Sequence, residues 1–246
     1  MDVPVTIITV AYNSAKTIER TIASVFNQTY QNIEYIIVDG ASTDETVQVA
    51  QRYQQMFDQM EGRSLTILSE PDKGMYDALN KGAAMANGEI VGQINADDYY
   101  ETDAVATMVE FYRQTQYDVA WGSIRIKKAS GDMIKHAKID KLWTTSGWCH
   151  PAMFSRREIL RAFPYPLESM YDDFDYITAV YRAGKKVLTL DQVISNFSFG
   201  GMSTQKSLKE VFRRTNISYR IYRKYGMSRL YWFHKFAVEF AKYLLG

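Results

Sequence analysis

Four short runs of apolar and β-branched residues alternate with helix-forming segments in the first hundred residues, and this alternation restricts the fold most. The runs lie at residues 5–10, 33–38, 65–68 and 90–94. Strands that are apolar along their whole length are typical of a parallel sheet with helices on both faces. The sequence therefore predicts an α/β chain with a Rossmann-like, mostly parallel sheet flanked by helices.

The segments between and after these runs predict the other elements. Helices are expected at residues 13–27, 43–57, 75–85 and 102–114, the first capped by Asn13 or Ser14. Later segments predict strand material at 119–135, a polar loop at 140–150, helices at 155–162 and 172–183, strands at 187–190 and 193–198, and helices at 205–224 and 228–245. No linker interrupts residues 1–204, so we expect one domain whose two lobes meet near residue 98.

A polar motif follows each of the four apolar runs. The motifs are Ala11-Tyr12-Asn13, Asp39, Glu70-Pro71-Asp72-Lys73-Gly74 and Asn95-Ala96-Asp97-Asp98. In open α/β sheets, ligands bind in the crevice beyond the carboxyl ends of the strands. These side chains are therefore predicted to share one pocket.

The adjacent carboxylates of Asp97 and Asp98 predict a metal site. Neighbouring carboxylates repel one another and favour a cation between them. One or two carboxylates together with ligand phosphates are usual ligands of Mg²⁺ and suit Mn²⁺ as well. A solvated acidic turn is the alternative for an isolated Asp-Asp pair. The position at a strand end, near three other polar motifs, favours the cation.

Three further candidates carry less specific signals. Asp39 follows a buried strand and either accepts hydrogen bonds from a base or ribose or forms a turn before Gly40. Lys73 stands in a tight turn and either binds a phosphate or is solvated. Asp172-Asp173-Phe174-Asp175 places three carboxylates at the start of a helix. The helix dipole favours acids there, and one of them can act as a general base.

Composition and missing motifs exclude several classes of protein. The chain of 246 residues has one cysteine, Cys149, so it forms no internal disulfide and no thiolate zinc site. It has no G-x-x-x-x-G-K-[ST] loop, no G-x-G-x-x-G after the first strand and no G-x-S-x-G elbow, which argues against P-loop NTPases and common NAD enzymes. No basic segment precedes the first apolar run, so we expect a cytoplasmic chain without an export signal.

Five ordered motifs resemble those of the inverting family 2 glycosyltransferases of the GT-A fold. They are Thr9-Val10-Ala11-Tyr12-Asn13, Val38-Asp39-Gly40-Ala41-Ser42-Thr43-Asp44, Glu70-Pro71-Asp72-Lys73-Gly74, Asn95-Ala96-Asp97-Asp98 and Asp172-Asp173-Phe174-Asp175. The resemblance implies transfer of one hexose or N-acetylhexosamine, with inversion, from a nucleoside diphosphate donor, preferably UDP, to a hydroxyl acceptor. Residues 1–98 are then the nucleotide-sugar-binding half and residues 99–204 the acceptor-binding half.

The resemblance also implies roles for individual residues. The donor-binding set is Ala11, Tyr12 and Asn13 at the nucleoside, Asp39 on the base, Lys73, and Asp97 beside the ribose and diphosphate. Asp98 is expected on Mg²⁺ or Mn²⁺. Asn95 takes the first position of the D-x-D motif, where an amide is a weaker metal ligand than a carboxylate. Asp173 aligns with the catalytic base, with Asp172 as the competing register, and His150 and Gly201 are expected near the acceptor.

Other functions share part of this pattern. A sugar nucleotidyltransferase would need a glycine-rich, basic loop after the first strand, which Ala11-Tyr12-Asn13-Ser14-Ala15 does not provide. A catalytically inactive nucleotide-sugar-binding module would not need the intact acids. A processive polysaccharide synthase would need transmembrane helices and a Gln-x-x-Arg-Trp motif. We expect a saccharide or lipid-linked acceptor in cell-surface polysaccharide synthesis, and no nucleic-acid partner.

Residues 205–246 form a C-terminal extension that differs in charge from the rest of the chain. They carry 10 Lys and Arg against 2 Asp and Glu, whereas residues 1–204 carry 19 against 26. Leu230, Phe233, Phe236 or Ala237, Phe240 and Leu244 recur on one helical face, and Lys235, Glu239 and Lys242 recur on another. Such a basic amphipathic helix lies on an anionic membrane, packs on the body, or forms a homo-oligomer contact. We favour the inner face of a membrane.

Overall fold

A computed structural model describes residues 2–128, 131–139, 147–198 and 207–245. Its first half follows the predicted alternation of strands and helices. The strands are β1 (Val5–Ala11), β2 (Ile33–Asp39), β3 (Arg63–Ser69), β4 (Ile90–Asn95) and the short β5 (Tyr99–Tyr100). The helices are α1 (Ile18–Phe26), α2 (Thr46–Asp58), α3 (Met75–Met85) and α4 (Ala104–Thr115).

The second half contributes four strands and four helices within the described residues. The strands are β6 (Val119–Lys127), β7 (Met133–Lys135), β8 (Met153–Arg156) and β9 (Val187–Ser198). The helices are α5 (Arg157–Ala162), α6 (Asp172–Arg182), α7 (Leu208–Lys224) and α8 (Tyr231–Leu245), and a single 3₁₀ turn covers His150–Ala152. The predicted turn at 130–132 and loop at 140–150 lie partly outside the described residues.

The strands form one sheet in the order β3-β2-β1-β4-β8-β6-β9-β5, with β7 paired to β6. The long pairs β1–β2, β2–β3, β1–β4 and β6–β9 are parallel. Strand β8 runs antiparallel to both β4 and β6 and joins the two halves of the sheet. The mostly parallel sheet and the flanking helices confirm the predicted fold class. Every residue of β1 is buried, as a strand covered on both faces requires.

Two elements of the second half differ from the prediction. Residues 153–156 form β8, although the sequence predicted that a helix begins at residue 155. Four residues are too few to display either a helical or a strand period. Strand β9 is continuous where two strands were expected, and register shifts near Ser123 accommodate it against β6.

Helix α7 packs against α6 in the second half of the chain. Tyr222 of α7 stacks on Phe174 with ring centroids 5.4 Å apart. Lys224 pairs with Asp175 at 2.9 Å. Of the described helices, none is both long enough and apolar enough to cross a membrane.

Candidate active site

The four predicted motifs begin at neighbouring positions of the sheet. Ala11 at the end of β1 pairs with Asp39 of β2, and Asp39 pairs with Ser69 of β3. On the other side of β1, Val10 pairs with Asn95 of β4. Because these strands are parallel, the segments that follow them leave the sheet at the same edge. This edge is the candidate site.

The loops after β1 and β2 are held together by Asn13. Its backbone N–H donates to Ser42 Oγ at 2.8 Å, and its side-chain Oδ1 accepts from the N–H of Thr43 at 2.9 Å. Asn13 has φ 47°, a left-handed conformation that asparagine tolerates. It therefore joins two loops and does not cap α1, which begins at Ile18. The side chain of Tyr12 beside it is largely exposed, so its ring is accessible to a flat ligand.

Asp39 is buried and already bonded within the protein. Its Oδ2 accepts from the backbone N–H of Ser42 at 2.9 Å and from Ser69 Oγ at 2.7 Å, and its Oδ1 accepts from Ser42 Oγ. These bonds fix the turn after β2. A carboxylate can accept about four hydrogen bonds. Three are made within the protein, so Asp39 keeps about one acceptor position for a ligand.

The loop after β3 packs closely on the turn after β2. A Cβ at Gly40 would lie 2.6 Å from Asp72 Oδ2, so the glycine permits this approach. Asp72 Oδ1 in turn accepts the N–H of Gly74 at 2.7 Å. The side chain of Lys73, between them, is exposed. The lysine is thus presented at the edge of the site by a braced turn.

The Asp97-Asp98 turn is anchored from two directions. Arg20 of α1 donates through Nη2 to the Asp97 carbonyl and to Ser198 Oγ, both at 2.8 Å. The backbone N–H of Ser198 donates to Asp98 Oδ1 at 2.9 Å. The other oxygen, Asp98 Oδ2, is buried and has no hydrogen bond among the described residues. Asp97 is only partly buried.

The electrostatics of this turn fit a cation. Burial, followed by the charge of Asp97, raises the pKa of Asp98 to about 8. Burial also raises the pKa of Asp97. A nearby divalent cation would favour both charged forms and would satisfy the partnerless oxygen. The described residues hold no cluster of three His, Cys, Asp or Glu side chains, so ligand phosphates would have to complete the coordination.

The acids at the start of α6 have three different environments. Asp172 is buried and accepts the N–H groups of Glu168 and Ser169 at 3.0 and 2.8 Å. Asp175 is buried and pairs with Lys224 of the C-terminal extension. Both carboxylates are therefore committed to the structure.

The carboxylate of Asp173 is held by two hydrogen bonds and stays partly exposed. Trp148 Nε1 donates to its Oδ2 at 2.9 Å, and the N–H of Phe174 donates to its Oδ1 at 2.8 Å. Its side chain keeps 17% of its surface exposed, and no lysine or arginine pairs with it among the described residues. The two hydrogen bonds orient the carboxylate and leave lone pairs available to a ligand.

His150 lies beside Asp173, with 4.0 Å between His150 Nδ1 and Asp173 Oδ2. Burial lowers the pKa of His150, against the opposing charge of Asp173. Neither ring nitrogen has a hydrogen-bond partner among the described residues. A neutral imidazole with free nitrogens thus adjoins the candidate base. Gly201, the other residue expected near an acceptor, lies outside the described residues.

Tyr76 connects Asp173 to the strand-end loops. This residue is the second of α3, two positions after Gly74, and donates to the Met170 carbonyl at 3.3 Å. Burial and then the charge of Asp173 raise the pKa of Tyr76 well above its ordinary value. The tyrosine therefore stays protonated, between the loop after β3 and α6.

Several residues of the site were not predicted from the sequence. Tyr76 is one, and Arg20, Trp148 and Ser198 are others that reach the acids from distant parts of the chain. Trp148 belongs to the polar loop that the sequence did identify, but no local pattern connects it to Asp173. Ser198 ends β9, two positions before Gly200 in the sequence.

Comparison with known families gives a match over most of the chain. Residues 6–181 match the family described as "Glycosyl transferase family 2". A "PGL/p-HBAD biosynthesis glycosyltransferase" of Mycobacterium bovis (strain BCG / Pasteur 1173P2) is 29% identical over 215 residues, which cover 85% of this chain and 82% of that protein. The Escherichia coli "UDP-Glc:alpha-D-GlcNAc-diphosphoundecaprenol beta-1,3-glucosyltransferase WfaP" is 31% identical over 124 residues, which cover 50% of this chain and 47% of the relative.

Solved structures share the fold at low sequence identity. Residues 1–349 of S. aureus TarS, in complex with UDP-GlcNAc, superpose with a TM-score of 0.72 at 21% identity, covering 98% of this chain and 71% of that one. The mannosyltransferase PcManGT from Pyrobaculum calidifontis, in complex with GDP-Man and Mn²⁺, gives a TM-score of 0.70 at 22% identity, covering 97% and 69%.

Proposed function

The chain belongs to glycosyl transferase family 2 and has the GT-A fold, and we propose that it transfers a single sugar from a UDP-sugar to a hydroxyl acceptor with inversion. The observation that carries this proposal is the state of Asp173. Of the three acids at the start of α6, it alone is oriented by a tryptophan while its carboxylate stays accessible. A general base must reach the proton that it removes.

The donor occupies the edge where β1, β2 and β4 end. Tyr12 and Asn13 flank the nucleoside together with Ala11, and Asp39 accepts a hydrogen bond from the base with its remaining capacity. Lys73 contacts the phosphates. The preference for UDP is supported by the UDP-Glc donor named for WfaP and by the UDP-GlcNAc bound to TarS, whereas the mannosyltransferase structure holds a GDP-sugar. A hexose or N-acetylhexosamine is the transferred group.

The Asp97-Asp98 turn would hold Mg²⁺ or Mn²⁺ together with the donor phosphates. The sequence placed the metal on Asp98 and the ribose and diphosphate beside Asp97. The partnerless Asp98 Oδ2 supports a metal contact there, but its burial makes the accessible Asp97 an equal candidate for the direct ligand. When bound, the cation neutralises negative charge that develops on the leaving diphosphate. Manganese in the mannosyltransferase structure supports this choice of metal.

Asp173 accepts the proton of the acceptor hydroxyl as the acceptor oxygen attacks the anomeric carbon. The new carbon–oxygen bond forms on the face opposite the diphosphate, while the bond to the diphosphate breaks. The configuration at the anomeric carbon is therefore inverted. Trp148 holds the base in position, and the acceptor lies near His150, whose buried ring borders the base.

The acceptor is a saccharide, and we propose a lipid-linked one in the synthesis of a cell-surface polysaccharide. The acceptor of WfaP, a diphosphoundecaprenol-linked sugar, supports this choice. Such an acceptor would require the enzyme to work at the inner face of a membrane.

A panel of nucleotide sugars tests the donor site. Isothermal titration with UDP-sugars and GDP-sugars, each with and without Mn²⁺, should show tight binding of UDP-sugars only with the metal. Asp39→Ala should weaken UDP binding, and Ser64→Ala, an exposed position of β3, serves as the control. Equal affinity for UDP and GDP would remove the preference for uracil, and no binding of any nucleotide sugar would contradict the proposed function.

A further inference from the structure

Helix α8 turns its charged face toward the protein. Lys235 and Glu239 form an ion pair at 2.9 Å, and their side chains are only 5% and 4% exposed. Tyr231 is buried on the same face. The sequence predicted these charges on a face separate from the apolar one but did not establish which face the body covers. The structure buries Lys235 and Glu239 of the charged face, whereas Lys242 remains exposed.

Part of the apolar face is consequently exposed. Leu230, directly before α8, is 73% exposed, and Phe233 and Leu244 of α8 are 66% and 65% exposed. Ala237 and Ala241, at helical spacing between them, are also exposed. We call these five residues the outer face. A contiguous, exposed stripe of apolar side chains on a helix is typical of an interaction surface.

An aromatic row supports the outer face along one side. Trp232 and Phe236 stack with ring centroids 5.2 Å apart, and Phe236 and Phe240 follow at 5.7 Å. Phe212 of α7 packs against Phe236 at 5.1 Å while remaining nearly half exposed. Tryptophan and phenylalanine side chains of this kind are favoured at the boundary between water and lipid.

The extension that carries the outer face is rich in positive charge. Both acids of the extension are neutralised locally, Glu210 by Arg213 at 2.7 Å and Glu239 by Lys235 and Lys242. The structure places four further cations on the exposed surface and describes no ion pair for them within residues 207–245: Lys209, Arg220, Arg223 and Arg229. Residues 205–246 carry 10 basic and 2 acidic residues. The extension that carries the outer face thus has a net positive charge.

This combination selects one kind of partner. A second copy docked symmetrically through the same face would bring two strongly basic extensions together. An anionic lipid surface offers apolar chains to the outer face and negative headgroups to the cations. We propose that the outer face of α8 inserts into the headgroup boundary of an anionic membrane, with Arg220 and Arg229 among the cations that contact the headgroups.

Docking would also orient the acceptor-binding half. Lys224 and Tyr225, at the end of α7, both bind Asp175 of α6, the helix that begins with the base. A membrane-bound extension would therefore hold α6 in a defined relation to the lipid surface. Only the delivery of a lipid-linked acceptor to this site rests on the proposed function.

Vesicle sedimentation of the full chain tests the docking. The vesicles contain phosphatidylcholine with about one third phosphatidylglycerol, and the comparison vesicles contain phosphatidylcholine alone. We expect binding to the anionic vesicles at low salt and release as salt rises toward about 0.5 M. The variant Leu230→Ser/Phe233→Ser should bind about tenfold or more weakly. The control Met56→Ser/Ile134→Ser, which changes exposed apolar side chains of the body, should bind like the wild type.

Charge reversal provides the second arm. Arg220→Glu/Arg229→Glu should abolish binding to anionic vesicles, whereas Arg52→Glu/Lys185→Glu on the body should not. Thermal unfolding of each variant reports whether it folds, and UDP titration of the same preparations tests the donor site independently. The proposal is overturned if the full chain does not bind anionic vesicles or if the outer-face variant binds them as well as its control. It is also overturned if sedimentation equilibrium shows that the wild type is a dimer and the outer-face variant is a monomer.

Discussion

The indole Nε1 of Trp148 donates a hydrogen bond to Oδ2 of Asp173 at 2.9 Å. The tryptophan is buried against Trp121, with ring centroids 4.7 Å apart in an edge-to-face arrangement. Its position is therefore fixed by packing, and it fixes the carboxylate in turn. Groups held in this way lose little freedom when a substrate arrives, which favours reaction.

Asp173→Asn should stop catalysis without removing donor binding. Loss of a general base lowers kcat by about 10²–10⁴, and UDP affinity from calorimetry should change little because Asp173 lies with the acceptor half. Asp172→Asn should behave oppositely. Its amide would meet the N–H groups of Glu168 and Ser169, so unfolding stability should fall by about 1–3 kcal/mol with catalysis retained. An inactive Asp172→Asn beside an active Asp173→Asn would show that the base is Asp172.

Trp148→Phe should lower kcat by about tenfold or more, because a hydrogen bond to a charged group is lost while an aromatic ring remains. If Trp148 acts by positioning Asp173, the effects of the two substitutions on kcat should not be additive. A double-mutant cycle should show that Trp148→Phe lowers kcat little further in the Asp173→Asn background. Trp232→Phe, which removes a hydrogen bond to Asn216 in the extension, is the matched control. Fully additive losses would assign Trp148 a structural role alone.

Chelation by EDTA should abolish turnover, and added Mn²⁺ should restore it. With UDP present, Mn²⁺ binding measured by electron paramagnetic resonance should weaken about 10- to 100-fold in Asp97→Asn or Asp98→Asn, and less in Asn95→Ala. The relative size of the first two effects identifies the direct ligand. Full activity in excess EDTA would contradict the metal site.

Cys149 should resist thiol reagents in the folded protein, since burial raises its pKa to about 11 from an ordinary 9.0. The folded chain then keeps a proton that the unfolded chain loses. The thiol's contribution to stability is therefore complete below pH 9 and declines as the pH rises toward 11, by at most about 1.4 kcal/mol per pH unit.

Urea unfolding of the wild type and of Cys149→Ala at several alkaline pH values measures the free energy of unfolding of each. The difference between the two proteins gives the contribution of the Cys149 thiol without that of the tyrosines. Native-state labelling by iodoacetamide at pH 8 should be slow and should become fast in denaturant. Rapid labelling of the native protein would show that the thiol is accessible.

The first half of the fold could be predicted because its signals are local. Uninterrupted apolar runs determine the parallel strands, and Gly74 marks the start of α3, whose observed bounds match the expected ones. Strand β8 could not be predicted, since its four residues gain their strand conformation from pairing with β4 and β6.

The residues of the site could largely be predicted from the sequence, but the role of each residue could not. Asp172, Asp173 and Asp175 lie within four consecutive residues, and their roles differ only through their tertiary contacts. Asp172 forms a turn, Asp173 stays accessible, and Asp175 forms an ion pair. Helical periodicity likewise shows that α8 is amphipathic but does not show which face is covered. Residues that act through distant contacts, such as Arg20, leave no local pattern.

Transfer from a UDP-sugar to a lipid-linked saccharide, followed by analysis of the product, tests the central claim most directly. With Mn²⁺, the wild type should release UDP in step with product, and nuclear magnetic resonance should show the anomeric configuration opposite to that of the donor. Asp173→Asn should bind the donor and release almost no UDP. Retained configuration, or UDP release that is equal in both proteins, would contradict an inverting transfer with Asp173 as the base.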